Sequence, residues 1–93
     1  MLTSNVLESL GLSNFSLTPN PFANQLDLKI HASQIIDFEV VVVDLNGKEF
    51  LRQQVMVNGG YAKTFDLSNL PSGIYFFKMK TQNGEWSKRV VKQ

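Results

Sequence analysis

The sequence predicts an all-β fold of seven antiparallel strands arranged as a sandwich, and three observations carry that prediction. Tight-turn chemistry recurs at Asn46-Gly47, Asn58-Gly59-Gly60, Pro71-Ser72-Gly73 and Asn83-Gly84, sites 12 or 13 residues apart. Regular turn spacing near that interval belongs to sandwiches and barrels. The segments between the turns are β-branched and aromatic, and the clearest of them alternate apolar and polar residues with a period of two. Helical spacing is confined to Val6, Leu7 and Leu10, where Ser4 or Asn5 could cap and Gly11 terminates.

Taken in order, residues 1–14 read as a linker or an added edge strand. The first strand of the domain is "FSLT" (Phe15 to Thr18), which ends at Pro19-Asn20-Pro21. Proline has a fixed φ and no backbone donor, and it biases Thr18 and Asn20 towards extended conformations. The corner therefore terminates the strand, stiffens the crossing to the next one and blunts an edge. "QLDLKIH" alternates strictly, with Leu26, Leu28 and Ile30 on one face, and runs to a weak break at Ala32-Ser33. "FEVVVVDL" is apolar on both faces, as a central strand covered from two sides should be. Asn46-Gly47 favours a type I′ hairpin turn. "KEFLRQQVMV" alternates less cleanly, which predicts a bulge. After Asn58-Gly59-Gly60, "YAKTFDLS" groups Tyr61, Phe65 and Leu67. Pro71-Ser72-Gly73 suits a type I turn with proline second. "IYFFKMK" groups Tyr75, Phe77 and Met79, and "EWSKRVVK" closes the series. "LPSGIY" (Leu70 to Tyr75) resembles the corner of immunoglobulin-like sandwiches, where a tyrosine hydroxyl ties back to nearby backbone. A structural role for Tyr75 follows.

Composition narrows the function. Ninety-three residues form one domain. The chain is 43% hydrophobic and only 18% charged, which argues against intrinsic disorder. Nine Lys/Arg against eight Asp/Glu gives no dominant basic character, so nucleic acid is not an expected partner. The absence of cysteine removes disulfides, thiolate ligands and thiol nucleophiles. The longest apolar run, Val40 to Val43, is far too short to span a bilayer. The opening "MLTSNVLESLGLSNF" lacks the basic and apolar regions of a secretory signal, so export would need a first-step signal further upstream.

Individual residues give little chemistry. His31 is the only histidine and stands at the outward end of an alternating strand. Asp27, Asp37, Asp44 and Asp66 are scattered and do not have calcium-loop spacing. No metal, cofactor or catalytic set is expected. Gly59-Gly60 lacks the strand-to-helix setting of a phosphate loop. Tyr61 and Tyr75 share faces with Phe65 and Phe77 and read as core, while Trp86 is the one aromatic open to a sugar-platform reading. "KMKTQNGEWSKRVVKQ" (Lys78 to Gln93) holds five of the nine basic residues and one acid. It reads either as an edge strand protected by lysines or as a basic strip shown to a receptor.

Four motifs in order then give a resemblance: "SLTPNP", "VVVVDLNGKEF", "FDLSNLPSGIYFFKM" and "KRVVKQ". From Phe15 to Gln93 the chain resembles the C-terminal sorting domain of the type IX secretion system of Bacteroidetes, most closely its type A form. The resemblance implies a non-catalytic label that follows a passenger domain. It implies recognition by an outer-membrane translocon, removal by a surface sorting peptidase, attachment of the passenger at the cell surface, and a junction within residues 1–14. By matching position, Pro19, Asn20 and Pro21 form the proline corner, Gly47 and Lys48 the middle hairpin, and Gly73 and Tyr75 the later corner. Lys88, Val90, Val91 and Lys92 form the terminal strip, the segment expected to meet the translocon through backbone pairing or groove insertion. Arg89 departs mildly from the common pattern. The alternative is an accessory carbohydrate- or adhesion-binding sandwich, for which Trp86 would be the discriminating residue. A small enzyme fits poorly, because no nucleophile or paired-carboxylate motif is present.

Overall fold

The computed structural model describes residues 11–82 and 84–93. The described residues form five strands: β1 Leu12–Thr18, β2 Gln25–Asp44, β3 Glu49–Asp66, β4 Gly73–Thr81 and β5 Gly84–Lys92. Every strand pair is antiparallel, in the order β1-β2-β4-β5, with β3 on the remaining partner side of β2. The all-β reading holds, and the strand count is corrected from seven to five. The breaks at Ala32-Ser33 and Asn58-Gly59-Gly60 bend strands without ending them.

The reason lies in how those two breaks meet. A 20-residue strand drawn straight would run roughly 66 Å, yet the longest dimension of the molecule is 36 Å. β2 must therefore curl, and β3 curls with it. Ala32 pairs with Gly59 and Ile36 with Val57, so Ser33, Gln34 and Ile35 stand opposite Asn58 alone. Extra residues on one strand bend it and increase its twist. Gly59 takes φ +83°, a conformation that costs glycine nothing. Two matched irregularities thus turn both strands together, without a chain reversal.

The bend folds one sheet into two facing arms. The first holds β1, β2 up to Ala32 and β3 from Gly59; the second holds the rest of β2 and β3 with β4 and β5. Leu17, Leu26, Leu28 and Ile30 of the first arm share one core with Phe38, Val40, Val42, Phe77, Met79 and Val90 of the second. Phe65 in β3 meets Phe77 in β4 edge-on at 5.6 Å, and Phe15 in β1 meets Trp86 in β5 at 4.3 Å. Neither of these strand pairs shares a ladder, so the contacts run across the core.

The turns differ from expectation in two respects. The hydrogen-bonded turn before β4 runs from the Leu67 carbonyl to Leu70 N–H at 3.1 Å, ahead of Pro71-Ser72-Gly73. Asn46-Gly47 does not form a type I′ turn, since only Gly47 there has positive φ. Gly47 N–H donates to the Asp44 carbonyl at 3.0 Å, and the Asp44 carboxylate accepts from the N–H groups of Asn46 and Lys48, each at 2.9 Å. A carboxylate that reads its own backbone favours a type I turn, which Gly47 then closes as a bulge. The irregularity expected in "KEFLRQQVMV" is at Phe50, which is extra between the pairs Val42–Leu51 and Val43–Glu49. Of the Asn83-Gly84 turn, Asn83 lies outside the described residues. The segment Val6 to Leu10 also lies outside them.

Candidate functional site

The terminal strip is an edge strand by topology but not by hydrogen bonding. β4 pairs with β5 from Gly73–Lys92 through Thr81–Gly84. On its other side the end of β5 meets the proline corner. Phe22 N–H donates to Val91 O at 2.8 Å, and Gln93 N–H donates to Phe22 O at 2.8 Å. Asn20 adds its carboxamide: Oδ1 accepts from Val91 N–H at 3.1 Å and Nδ2 donates to Arg89 O at 3.4 Å. The Phe22 side chain is fully buried and anchors the corner in the core. Both X-Pro bonds of the corner are cis. Asn20 and Phe22 of the corner thus seal the end of β5, an edge to which the corner does not itself belong.

The two other motif segments reach the same end of the fold. Gly73 pairs with Lys92, and Tyr75 pairs with both Asp44 and Val90. The Tyr75 hydroxyl donates to Pro71 O at 2.5 Å, the tie expected of a tyrosine corner. Phe50 stacks edge-on against Tyr75 at 5.5 Å, and Lys48 Nζ sits 5.2 Å from the Phe50 ring centre. Burial, with a smaller contribution from the nearby Asp44 carboxylate, pushes the Tyr75 phenol up. Four segments far apart in sequence therefore build one end of the molecule.

Residues 16–93 match the sequence family described as the secretion system C-terminal sorting domain. The chain belongs to that family. It is a type IX sorting signal, and the family is non-catalytic. A search of curated proteins finds no match. Among solved structures, the sorting domain is similar to dimeric latent PorU from Porphyromonas gingivalis, with TM-score 0.67 and 17% identity. The likeness covers 84% of this chain and 9% of that one. At that identity it supports the fold alone.

Of the residues expected to carry recognition, the sorting domain places Val90 entirely inside the core. Lys88 and Lys92 alternate with Trp86 and Val90 on the core side of β5 and are half-buried, while Arg89 and Val91 point to the outer face. The strip is thus divided between two faces. Pro19, Asn20, Pro21, Gly47 and Lys48 are exposed, Gly73 is half-buried, and Tyr75 is core. Trp86 is 5% exposed, packs against Phe15 and leaves Nε1 without a partner among the described residues, so it offers no flat platform for a sugar. His31 is exposed. Among the described residues no group of three His, Asp or Glu side chains is placed to hold a metal. Sequence reasoning passed over Phe22. Its signal was a lone large apolar residue just behind two prolines, in an otherwise polar connection.

Proposed function

We propose that this domain is the C-terminal label that carries a covalently preceding, folded passenger through the type IX outer-membrane translocon to the cell surface or beyond. On this reading it is the type A form found in Bacteroidetes. A surface sorting peptidase removes the label within residues 1–14, and the passenger is attached at the surface. The observation that carries the reading is the convergence of the proline corner, the Asp44–Lys48 turn, the tyrosine corner and the terminal strip on one end of a sheet. The family match supports the same reading. Counted at the bend, one arm has three strand segments and the other four, which supports an immunoglobulin-like sandwich built from five continuous strands. Within the strip, Val90 holds the strand to the core, Val91 meets the translocon from the outer face, and Lys88 and Lys92 reach it from the half-buried margin of the other face.

The test is to fuse residues 1–93 behind a periplasmic reporter in a host that carries the secretion machinery. The fusion is expected to reach the surface, and Lys92→Gln, which keeps the strand pairing, is expected to reduce delivery while the domain still melts cooperatively. A reporter that stays in the periplasm would refute the sorting reading. Undiminished delivery by Lys92→Gln would remove the terminal lysine from recognition.

A further inference from the structure

The outer face of the second arm carries an apolar surface that the core does not use. Along β4, Tyr75, Phe77 and Met79 point inward, so Ile74 and Phe76 point outward, and both remain half-buried. Their cross-strand neighbours continue the surface: Val91 lies beside Ile74, and Val43 beside Phe76. Leu45 extends the outward alternation of Val41 and Val43 into the turn. At 65% it is among the most exposed large apolar side chains of the described residues. Leu45 and Ile74 also line, with Phe50 and Tyr75, a cleft of about 230 Å³ between the Asp44–Asn46 turn and the Pro71–Gly73 segment. That volume suits one large side chain.

Charge gives the surface a polarity. Arg89 stands on the same outer face, paired across the strands with Phe76. Its side chain has no hydrogen bond or ion pair among the described residues, whereas Arg52 is held by Glu39 and Glu49, and Lys78 lies 3.8 Å from Glu85. One margin of the apolar surface therefore presents an uncompensated guanidinium, which favours a carboxylate on whatever covers it.

The sealed edge decides how the end of the fold is read. Phe22 and Asn20 occupy the outward N–H and carbonyl of Val91, the Gln93 N–H and the Arg89 carbonyl. A partner strand cannot add there without displacing the corner. Side chains are what remains to be recognised, and those on the outer face include Leu45, Ile74, Phe76, Arg89 and Val91.

Building on the sorting function proposed above, we infer that Leu45, Ile74 and Val91, with the cleft beside them, form the docking surface for a component of the export machinery. That component inserts one large apolar side chain between the two turns and sets a carboxylate against Arg89. Recognition is then by side chains of the Asp44–Asn46 turn, β4 and β5, not by pairing with the backbone of β5.

The experiment uses the same reporter fusion, with Leu45→Glu and Arg89→Glu beside the parent chain. Both residues are exposed, so thermal melts should stay close to the parent and exclude misfolding. Surface delivery is expected to fall tenfold or more in each variant. Parent delivery together with full delivery by both variants would overturn the docking surface and leave the sorting function standing. Failure of the parent itself would refute the sorting function, and the surface with it. Sedimentation of the isolated chain supplies a further outcome: a parent dimer that Leu45→Glu converts to monomer would assign the surface to a second copy and overturn the machinery as occupant.

Discussion

Replacing Asn20 by alanine separates the seal on β5 from the rest of the fold. The substitution removes an acceptor 3.1 Å from Val91 N–H and a donor 3.4 Å from Arg89 O. The longer contact is at the limit of a hydrogen bond and contributes little. The shorter one is ordinary, and its loss at an exposed site costs about 1 kcal/mol net. A domain of this size has roughly 5–14 kcal/mol of stability, so it remains folded, with a melting temperature lowered by roughly 4–8 °C.

The sharper effect of that substitution is local. A global loss of about 1 kcal/mol speeds exchange of every globally protected amide about fivefold. Val91 N–H must exceed that common factor, because alanine leaves it no protein acceptor, whereas Val90 keeps its place opposite Tyr75. Amide exchange followed residue by residue in NMR spectra measures the difference. Asn20→Asp is the control: its carboxylate still accepts from Val91 N–H but cannot donate to Arg89 O, so Val91 stays protected. If Val91 and Val90 accelerate together in Asn20→Ala, or if aspartate behaves as alanine does, the carboxamide does not hold the strand.

Other perturbations test the remaining supports. Phe22→Ala empties a fully buried ring site and should cost about 3–5 kcal/mol, read as a large shift in the urea midpoint. Tyr75→Phe loses the bond to Pro71 O, worth about 1 kcal/mol at neutral pH. The raised Tyr75 phenol also contributes stability that is intact below the unfolded value of about 10 and is lost as pH rises through the folded value. Alkaline melts of Tyr75→Phe should therefore fall less steeply than those of the parent, the residue of the slope coming from Tyr61, which burial also raises. Gly59→Ala meets no atom within 4 Å, so its cost is the left-handed backbone alone, about 1–2 kcal/mol. Gly60→Ala, without that backbone demand, should be near neutral in the same melts.

Much of the fold was legible because strand patterning is local. Leu26, Leu28 and Ile30 alternate into the core as their spacing requires, and "FEVVVVDL" became a central strand with a neighbour along each edge, although Val40 and Val42 belong to the shared core and Val41 and Val43 do not. The tyrosine corner was legible for the same reason, since its donor and acceptor are four residues apart. What failed was long-range. Asn58-Gly59-Gly60 has turn chemistry, but whether a chain reverses or merely bends depends on what lies across the ladder, and Gly59 lies across from Ala32. At Asn46-Gly47 the deciding group was the Asp44 carboxylate, which selected a type I turn over the type I′ that the dipeptide favours. The proline corner was seen as an edge breaker, but the edge it serves is 70 residues away.

That separation bears on what a sorting label can report. Asn20 and its partners on β5 are 69 and 71 residues apart in sequence, and joining them closes nearly the whole domain into a loop. The entropy of such a closure rises only with the logarithm of loop length, but it must be met by contacts already in place. Those contacts are the core packing of Phe22 and Val90 and the ladders that bring β5 beside β4 and β2. Closure of so long a loop predicts that the sealed end forms after the curled sheet. A linear tail carries the same residues, Lys88 to Gln93, without Phe22 or Asn20 to occupy its backbone and without Ile74 or Leu45 beside it. The proposed docking surface exists only once the sheet has closed, and so a machine that reads it accepts folded labels and passes over unfolded ones.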